Sequence, residues 1–433
     1  MIAGVGIFAL LVILYVSMSA RLGRAHLTGP IIFIVAGAAL GRAVLSGGAD
    51  STLIRTIAEV TLALMLFHDA AQLQPRELRR DSVFTARLLL VGLPLTIGAG
   101  YLLARGLFPE VGVWLALLLA AALAPTDAGL GAATVLNPVV PVRVRRILNV
   151  ESGLNDGLAT PVVLFAVAAA GGAGHEHALP EAVGEIAVGA LVGVVAGYLA
   201  GRLLQRMRSA GWAQEPLVPI AALAVPLLCY YGAVELHGNG YIAAFVAGTA
   251  FASAQANLEH MQGSLELTDL VSTFLGYAVW MLFGVTAAAH LEVLVRWQTL
   301  LFAALSLTAL RMVPVALSLL GAGLRAPTVV FVGWFGPRGL ASVVFALIAY
   351  ESLDADPQVA TVIGVIATTV TLSVIVHGVS AAPWARRYGA WAQRTHPEVE
   401  SQGAVEPLPV RRSSGASSDR WAGPTPSALS DPS

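Results

Sequence analysis

Glu151, Ser152, Asn155 and Asp156 stand close together in the segment ESGLNDG, Glu151–Gly157, inside a stretch otherwise apolar enough to be a membrane helix. Two carboxylates, a hydroxyl and an amide all offer oxygen, the ligand atom that hard cations take. At about 100° per residue, Glu151 and Asn155 share one helical face, with Ser152 and Asp156 as the adjacent i, i+4 pair. A charged side chain at the bilayer centre costs roughly 2.5–3.5 kcal/mol on insertion scales, so such residues face a pathway, a partner or a bound ion. A helix cap needs one polar residue. Four, two of them ionisable, predict a site that holds a cation or a proton.

Two further polar clusters interrupt apolar runs. APTDAG, Ala124–Gly129, surrounds Thr126 and Asp127 with Pro125 and Gly129. Proline removes a backbone donor and glycine permits irregular backbone. The sequence then stays apolar to Leu136, so the cluster is read as a break within a helix. Irregular backbone at membrane depth is tolerated where it is buried in protein or lines a cavity. GPRGLAS, Gly336–Ser342, repeats the pattern with the opposite charge on Arg338. A guanidinium there must meet a carboxylate or helix-end carbonyls. Glu151 is the expected partner, in a structural ion pair with Arg338. Arg311 is expected to pair with Glu59 or Asp69 as scaffolding; His68 and Asp69, near the cytoplasmic end of their span, are a weaker signal for an entry funnel.

The elements that must position these residues follow from composition. The chain has 433 residues, 57% hydrophobic and 12% charged, with mean hydropathy +0.76. Soluble domains carry about 25% charged residues. The apolar residues fall in long runs, and a span needs about 20 of them. On that ruler spans lie near 2–20, 29–46, 52–73, 84–106, 112–136, 147–171, 182–205, 216–236, 239–255, 269–290, 298–321, 327–350 and 358–381. The expectation is an all-α polytopic membrane protein of about thirteen transmembrane helices.

With a net charge of −1, nothing suggests a nucleic-acid partner. Cys229 is the single cysteine and has no internal disulfide partner; Lys is absent, which removes lysine chemistry. No HExxH or serine-nucleophile motif supports the alternative of an intramembrane enzyme. Arginines cluster in alternate loops, at Arg21 and Arg24, Arg76 to Arg80, Arg143 to Arg146 and Arg202 to Arg208. The positive-inside rule makes those loops cytoplasmic, with the N-terminus outside and the C-terminus inside.

The two interruptions fall in spans 5 and 12. Discontinuous helices at corresponding positions mark two inverted repeats, crossed near the midplane. Repeat one then covers about 2–171, a linker helix 182–205 and repeat two 216–381, within a transmembrane unit of 1–384. Residues 385–433, rich in Ser, Pro and Gly, are expected to form a disordered cytoplasmic tail.

The combination of PTDAGLGAATV, VPVRVRR, ILNVESGLNDG and GWFGPRGLAS, in this order, resembles the monovalent cation:proton antiporter family. It is most similar to the NhaP-type electroneutral sodium/proton exchangers, over essentially all of residues 1–383. The resemblance implies thirteen helices divided into a dimerisation domain and a mobile core, with a homodimer in the cell membrane. It implies that Thr126, Asp127, Glu151, Ser152 and Asp156 hold the ion, Asn155 organises the site, and Arg338 is tied to Glu151. The monovalent cation itself would sit on Asp156, Asp127 and Glu151. Electrogenic relatives have two aspartates where Asn155–Asp156 stands here and use a membrane lysine, so the expected exchange is electroneutral, one Na+ for one H+. K+/H+ exchange on the same fold is the alternative. No cofactor is called for beyond the transported cation and proton, and the implied role is pH homeostasis.

Overall fold

The computed structural model describes residues 2–24, 27–45, 51–72, 82–127, 129–130, 139–172, 178–255, 258–289, 291–353 and 356–401. Every regular element among them is helical. In chain order these are α1 (Ile2–Arg24), α2 (Gly29–Leu45), α3 (Ser51–Gln72) and α4 (Ser82–Leu107), the last with a π turn at Leu88–Gly92. There follow α5 (Val113–Ala122), α6 (Val142–Ala170), α7 (Ala178–Ser209), α8 (Val218–Glu235), α9 (Gly240–Ala254) and α10 (Leu258–Ala289). The last are α11 (Trp297–Ser318), α12 (Ala326–Trp334), α13 (Leu340–Ser352), α14 (Pro357–Thr395) and α15 (Glu398–Ser401).

Eight of these are long and apolar enough to cross a bilayer; α5 and α13 are among the shorter apolar helices. Their shortness has a cause in the sequence. α5 ends just before the break at Pro125, and α12 and α13 are the two halves of the span cut at Pro337 and Gly339. Most side chains of α5 and α13 are buried. Helices apolar all round belong in the interior of a bundle.

Helix contacts sort into two groups. α4–α6 pack with α11–α14, while α2, α3 and α7–α10 pack with one another. Small residues set the second group's spacing. A Cβ on Gly193 or Gly197 of α7 would lie 2.5–2.6 Å from backbone atoms of Ala243 or Ala247 on α9. Such contacts let two helix backbones approach closely. The two groups meet where α13 touches α3 and α10, and where α6 touches α3, α7 and α9.

Among the boundaries that differ from expectation, those of α6 and α14 bear on the site. α6 begins at Val142, so the basic VPVRVRR segment is the helix's first turns and not a loop, with Val144 and Arg146 buried. ESGLNDG therefore lies well inside α6. The expected disordered tail also starts too early at 385: α14 continues to Thr395 and α15 folds back. Glu400 is buried, and its Oε1 accepts from Arg325 N at 2.9 Å and Thr328 Oγ1 at 2.7 Å. Tyr388 stacks on Phe331 at 4.1 Å, covering apolar surface at the start of the interrupted span. The remainder of the expected tail, 402–433, lies outside the described residues, as does the second half of span 5 at 131–138.

Candidate functional site

The two interruptions meet. Asp127 N donates to Pro337 O at 2.8 Å, a main-chain bond between two segments that have both left the helical ladder. The Asp127 carboxylate then serves both sides. Its Oδ1 accepts from Gly129 N at 2.7 Å and its Oδ2 from Leu340 N at 3.1 Å. Leu340 opens α13, so the carboxylate stands at the positive end of that helix, where a negative charge is favoured. Gly339 makes this approach possible, because a Cβ there would fall 2.1 Å from Asp127 Cβ and Oδ2.

α6 grips the first break from the side. Ser152 Oγ donates to Thr126 O at 2.5 Å, and Asn155 Nδ2 donates to Thr126 Oγ1 at 2.7 Å. Residues three apart share a helix face, which is why this pair reaches one threonine. Thr126, Ser152, Asn155 and Asp156 are all buried, at 3%, 5%, 1% and 5% exposure. Asn155 Oδ1 and Ser342 Oγ are buried without a hydrogen-bond partner, so two polar oxygens beside the crossing remain unsatisfied by protein. Buried polar groups are ordinarily paired, and an exception calls for water, an ion or a functional role.

The guanidiniums divide differently from expectation. Arg338 is fully buried and does not pair with Glu151. It donates from Nη1 to Ala124 O at 2.9 Å and to Pro125 O at 3.2 Å, and from Nη2 to Ser306 O at 3.2 Å. The first two are carbonyls of the opposite break, left without N–H partners where α5 stops, and a cation suits a helix C-terminus. Glu151 is held by Arg311, whose Nη1 and Nη2 each donate to one carboxylate oxygen at 2.7 Å. Arg311 therefore pairs with neither Glu59 nor Asp69. Arg55 takes Glu59 at 2.7 Å, and His68 lies 3.3 Å from Asp69.

Sequence reasoning missed three contributors. Arg311 was noticed but assigned to α3. Ser373 Oγ accepts from Arg338 N at 2.7 Å, and His377 Nε2 lies 3.0 Å from Trp334 O. Their signal was a polar i, i+4 pair inside the apolar run of the last span.

Of the predicted residues, the structure brings together Thr126, Asp127, Ser152, Asn155 and Arg338 through direct bonds. Asp156 follows Asn155 on α6. Glu151 sits one turn earlier, with its charge already matched by Arg311. Two guanidiniums and two carboxylates, Arg338 and Arg311 with Asp127 and Glu151, thus gather at or beside the crossing.

Comparison with known proteins agrees with this architecture. The family described as "Sodium/hydrogen exchanger, transmembrane" matches residues 6–387. A Na(+)/H(+) antiporter of Schizosaccharomyces pombe is 28% identical over 360 residues, covering 75% of each chain. A K(+)/H(+) antiporter NhaP of Alkalimonas amylolytica is 24% identical over 411 residues, covering 93% of this chain and 69% of that one. The solved sodium proton antiporter MjNhaP1 from Methanocaldococcus jannaschii shares the fold, with TM-score 0.71 and 19% identity over 90% of this chain and 99% of its own.

Proposed function

We propose, for a chain that belongs to the transmembrane sodium/hydrogen exchanger family, that Asp156 is the carboxylate which a monovalent cation and a proton occupy in turn during antiport. The observation that carries this reading is the grip of α6 on Thr126. Ser152 and Asn155 dock on the broken helix, Asn155 Oδ1 is a buried acceptor with no protein donor, and Asp156 is the next residue of the same helix, itself buried.

The chemistry follows from charge. Burial favours the protonated form of a carboxylate, and a nearby cation favours the ionised form, so the two ligands exclude each other. Loaded with either, the site is neutral and can cross the membrane; empty, it carries an unbalanced charge through a low-dielectric region at high cost. Coupling follows without any gate that recognises both ions. Glu151 is held by Arg311 through two hydrogen bonds, and Asp127 is anchored to backbone N–H groups, so each holds its place while proton and cation exchange at Asp156. Thr126 carbonyl and hydroxyl, Ser152 Oγ and Asn155 Oδ1 supply further oxygens within the same cluster.

Alternating access has a natural division in the two helix groups. α4–α6 with α11–α14 carry the site and move against α2, α3 and α7–α10, which form the scaffold and the face of a homodimer. The arginine-rich segments and the C-terminus lie in the cytoplasm, and one-for-one exchange is electroneutral. Sodium is the favoured cation. Potassium is the second reading, because one relative is a K(+)/H(+) antiporter and an all-oxygen site takes either ion.

The test is proton movement in proteoliposomes containing a pH-sensitive dye, with sodium, lithium and potassium added in turn. Exchange that does not respond to a clamped membrane potential supports one-for-one stoichiometry. Asp156→Asn should abolish exchange and leave the melting temperature near the wild-type value. Sodium-driven proton efflux in that variant removes Asp156 from the mechanism.

A further inference from the structure

The segment between α12 and α13 must satisfy its backbone groups without a helical ladder, and α14 supplies partners from one face. Ser373 Oγ accepts from Arg338 N at 2.7 Å. One turn on, His377 is only 1% exposed, and its Nε2 lies 3.0 Å from the carbonyl oxygen of Trp334, the residue that ends α12. Its Nδ1 lies 2.9 Å from Ser373 O and 3.2 Å from Ser373 Oγ. α14 also holds the Trp334 side chain. The indole Nε1 donates to Ser380 Oγ at 3.1 Å, and the ring stacks on Trp384 at 5.3 Å.

We propose that His377 is a positioning residue for exchange. With Ser373 it braces both ends of the second interruption, the carbonyl that closes α12 and the N–H that precedes α13. It touches none of the site's carboxylates. Its influence passes through the main chain it holds: Arg338 reaches from the braced segment to Ala124 O and Pro125 O, Pro337 O accepts from Asp127 N, and Leu340 N donates to Asp127 Oδ2. Ser373 and His377 stand at i, i+4 on α14, so they present one rigid face to the break. Donation to Trp334 O requires a hydrogen on Nε2. Leucine fills the volume and cannot donate. Glutamine carries an amide N–H at a comparable reach and can.

This inference rests on the antiport reading above. The experiment uses the purified full chain in proteoliposomes and measures apparent KM and saturating rate for sodium and for potassium. His377→Leu should raise apparent KM for the driving cation about tenfold, the worth of one lost buried hydrogen bond, with the saturating rate per folded transporter within about twofold. His377→Gln should bring KM back to within about threefold of wild type by restoring the donor. Thr369→Ala is the control on the same helix, since Thr369 Oγ1 donates within α14 to Val365 O, at 2.8 Å; its KM should not move. If His377→Leu does not fold, His377→Asn, whose shorter amide reaches Ser373 but not Trp334, reads the same KM. A wild-type KM in the folded donor-less variant overturns the brace. So does an equal loss of rate in the Leu and Gln variants with KM unchanged, which marks a purely structural residue. Asp156→Asn measured alongside separates the two claims. Continued exchange there removes Asp156 from the mechanism, and no cation-driven proton movement by the unaltered protein defeats the antiport reading, whereas silence of Asp156→Asn with an unaltered KM at His377→Leu defeats only the brace.

Discussion

Arg311 and Glu151, 160 positions apart in the chain, meet through two parallel hydrogen bonds of 2.7 Å each. Both are buried, at 4% and 2% exposure. The planar fork of a guanidinium matches the two oxygens of a carboxylate, and such bidentate pairs fix orientation as well as charge. Here the pair joins α6, which carries Asp156, to the second half of α11, whose first half offers Ser306 O to Arg338.

Breaking that pair from one side leaves an uncompensated buried charge, at a cost of about 3–5 kcal/mol. Glu151→Ala and Arg311→Ala should therefore each lower the melting temperature sharply and reduce the yield of folded protein. The double replacement Glu151→Leu with Arg311→Met should recover most of the loss, because the desolvation penalty disappears with both charges. Thermal melts of the detergent-purified variants decide this. A single Glu151→Ala variant that melts with the wild type would show that the pair contributes nothing.

The bond from Asn155 to Thr126 makes a narrower prediction. Thr126→Val keeps the shape and removes the acceptor, leaving Asn155 Nδ2 unpaired at a buried position, for about 1–3 kcal/mol. Thr126→Ser keeps both the hydroxyl and the main-chain acceptor. Cation transport should follow the same order: Val weakens apparent cation affinity several-fold and Ser leaves it near wild type. Equal affinities for the two variants would mean that Asn155 finds its position without Thr126.

Gly339→Ala tests the crossing itself. The added methyl would overlap Asp127 Cβ and Oδ2 at 2.1 Å, and a side chain bonded to Gly129 and Leu340 cannot give way cheaply. The expected result is loss of folded protein, or of exchange in whatever folds, out of proportion to one methyl group. The control is Gly232→Ala, where no atom lies within 4 Å of the new Cβ, and which should behave as wild type.

Much of this architecture was legible because the bilayer enforces it. A run of about 20 apolar residues reads as a span whatever surrounds it, and proline and glycine beside a lone charge read as a break at depth. Hence the existence of the spans, the two interruptions and their meeting were foreseeable, the last two from APTDAG and GPRGLAS, although several span boundaries were not. The partners of the charges were not. Arg338 and Arg311 are both near the crossing, and which one reaches Glu151 depends on the bend of α11 at Thr308, with φ −119° and ψ −92°, which no local motif announces. The far end of α14 was misread for a related reason. Its Trp, Tyr and Arg residues look like the start of a polar tail until Phe331 is known to lie beneath Tyr388. Ser152 was expected among the ion's ligands and Asn155 as the residue that organises the site, and the structure shows what spacing alone did not, that both hold Thr126.

If one carboxylate serves proton and cation in turn, the two must compete. In the range where protons occupy the site, each unit of acidification should raise the apparent KM for sodium about tenfold, by mass action at a single shared group. The saturating rate should change much less. The sign is set by the chemistry: acid favours the protonated carboxylate and so opposes cation binding, and alkali relieves it. Initial rates over a grid of pH and sodium concentration measure this. A KM independent of pH across the active range would require separate sites for the two ions.

The C-terminal segment after α14 gives the last prediction, because it bears on a boundary that composition placed at 385. Glu400 accepts from Arg325 N, immediately before α12, and from Thr328 Oγ1 in its first turn. A carboxylate at that end satisfies an otherwise orphaned N–H and complements the helix dipole. On the other side, Arg143 donates to Val399 O, joining α15 to the start of α6. α15 therefore ties together the ends of two helices that lead into the crossing. Glu400→Ala should cost about 1–2 kcal/mol, the usual loss for a helix cap that is also buried. Truncation after Thr395 should cost more, since it removes the Val399 contact as well. Truncation after Ser401 removes none of these contacts and should leave melting temperature and exchange unchanged. If the two truncations melt together at the wild-type temperature, residues 396–401 do not stabilise the transporter and the boundary belongs at the end of α14.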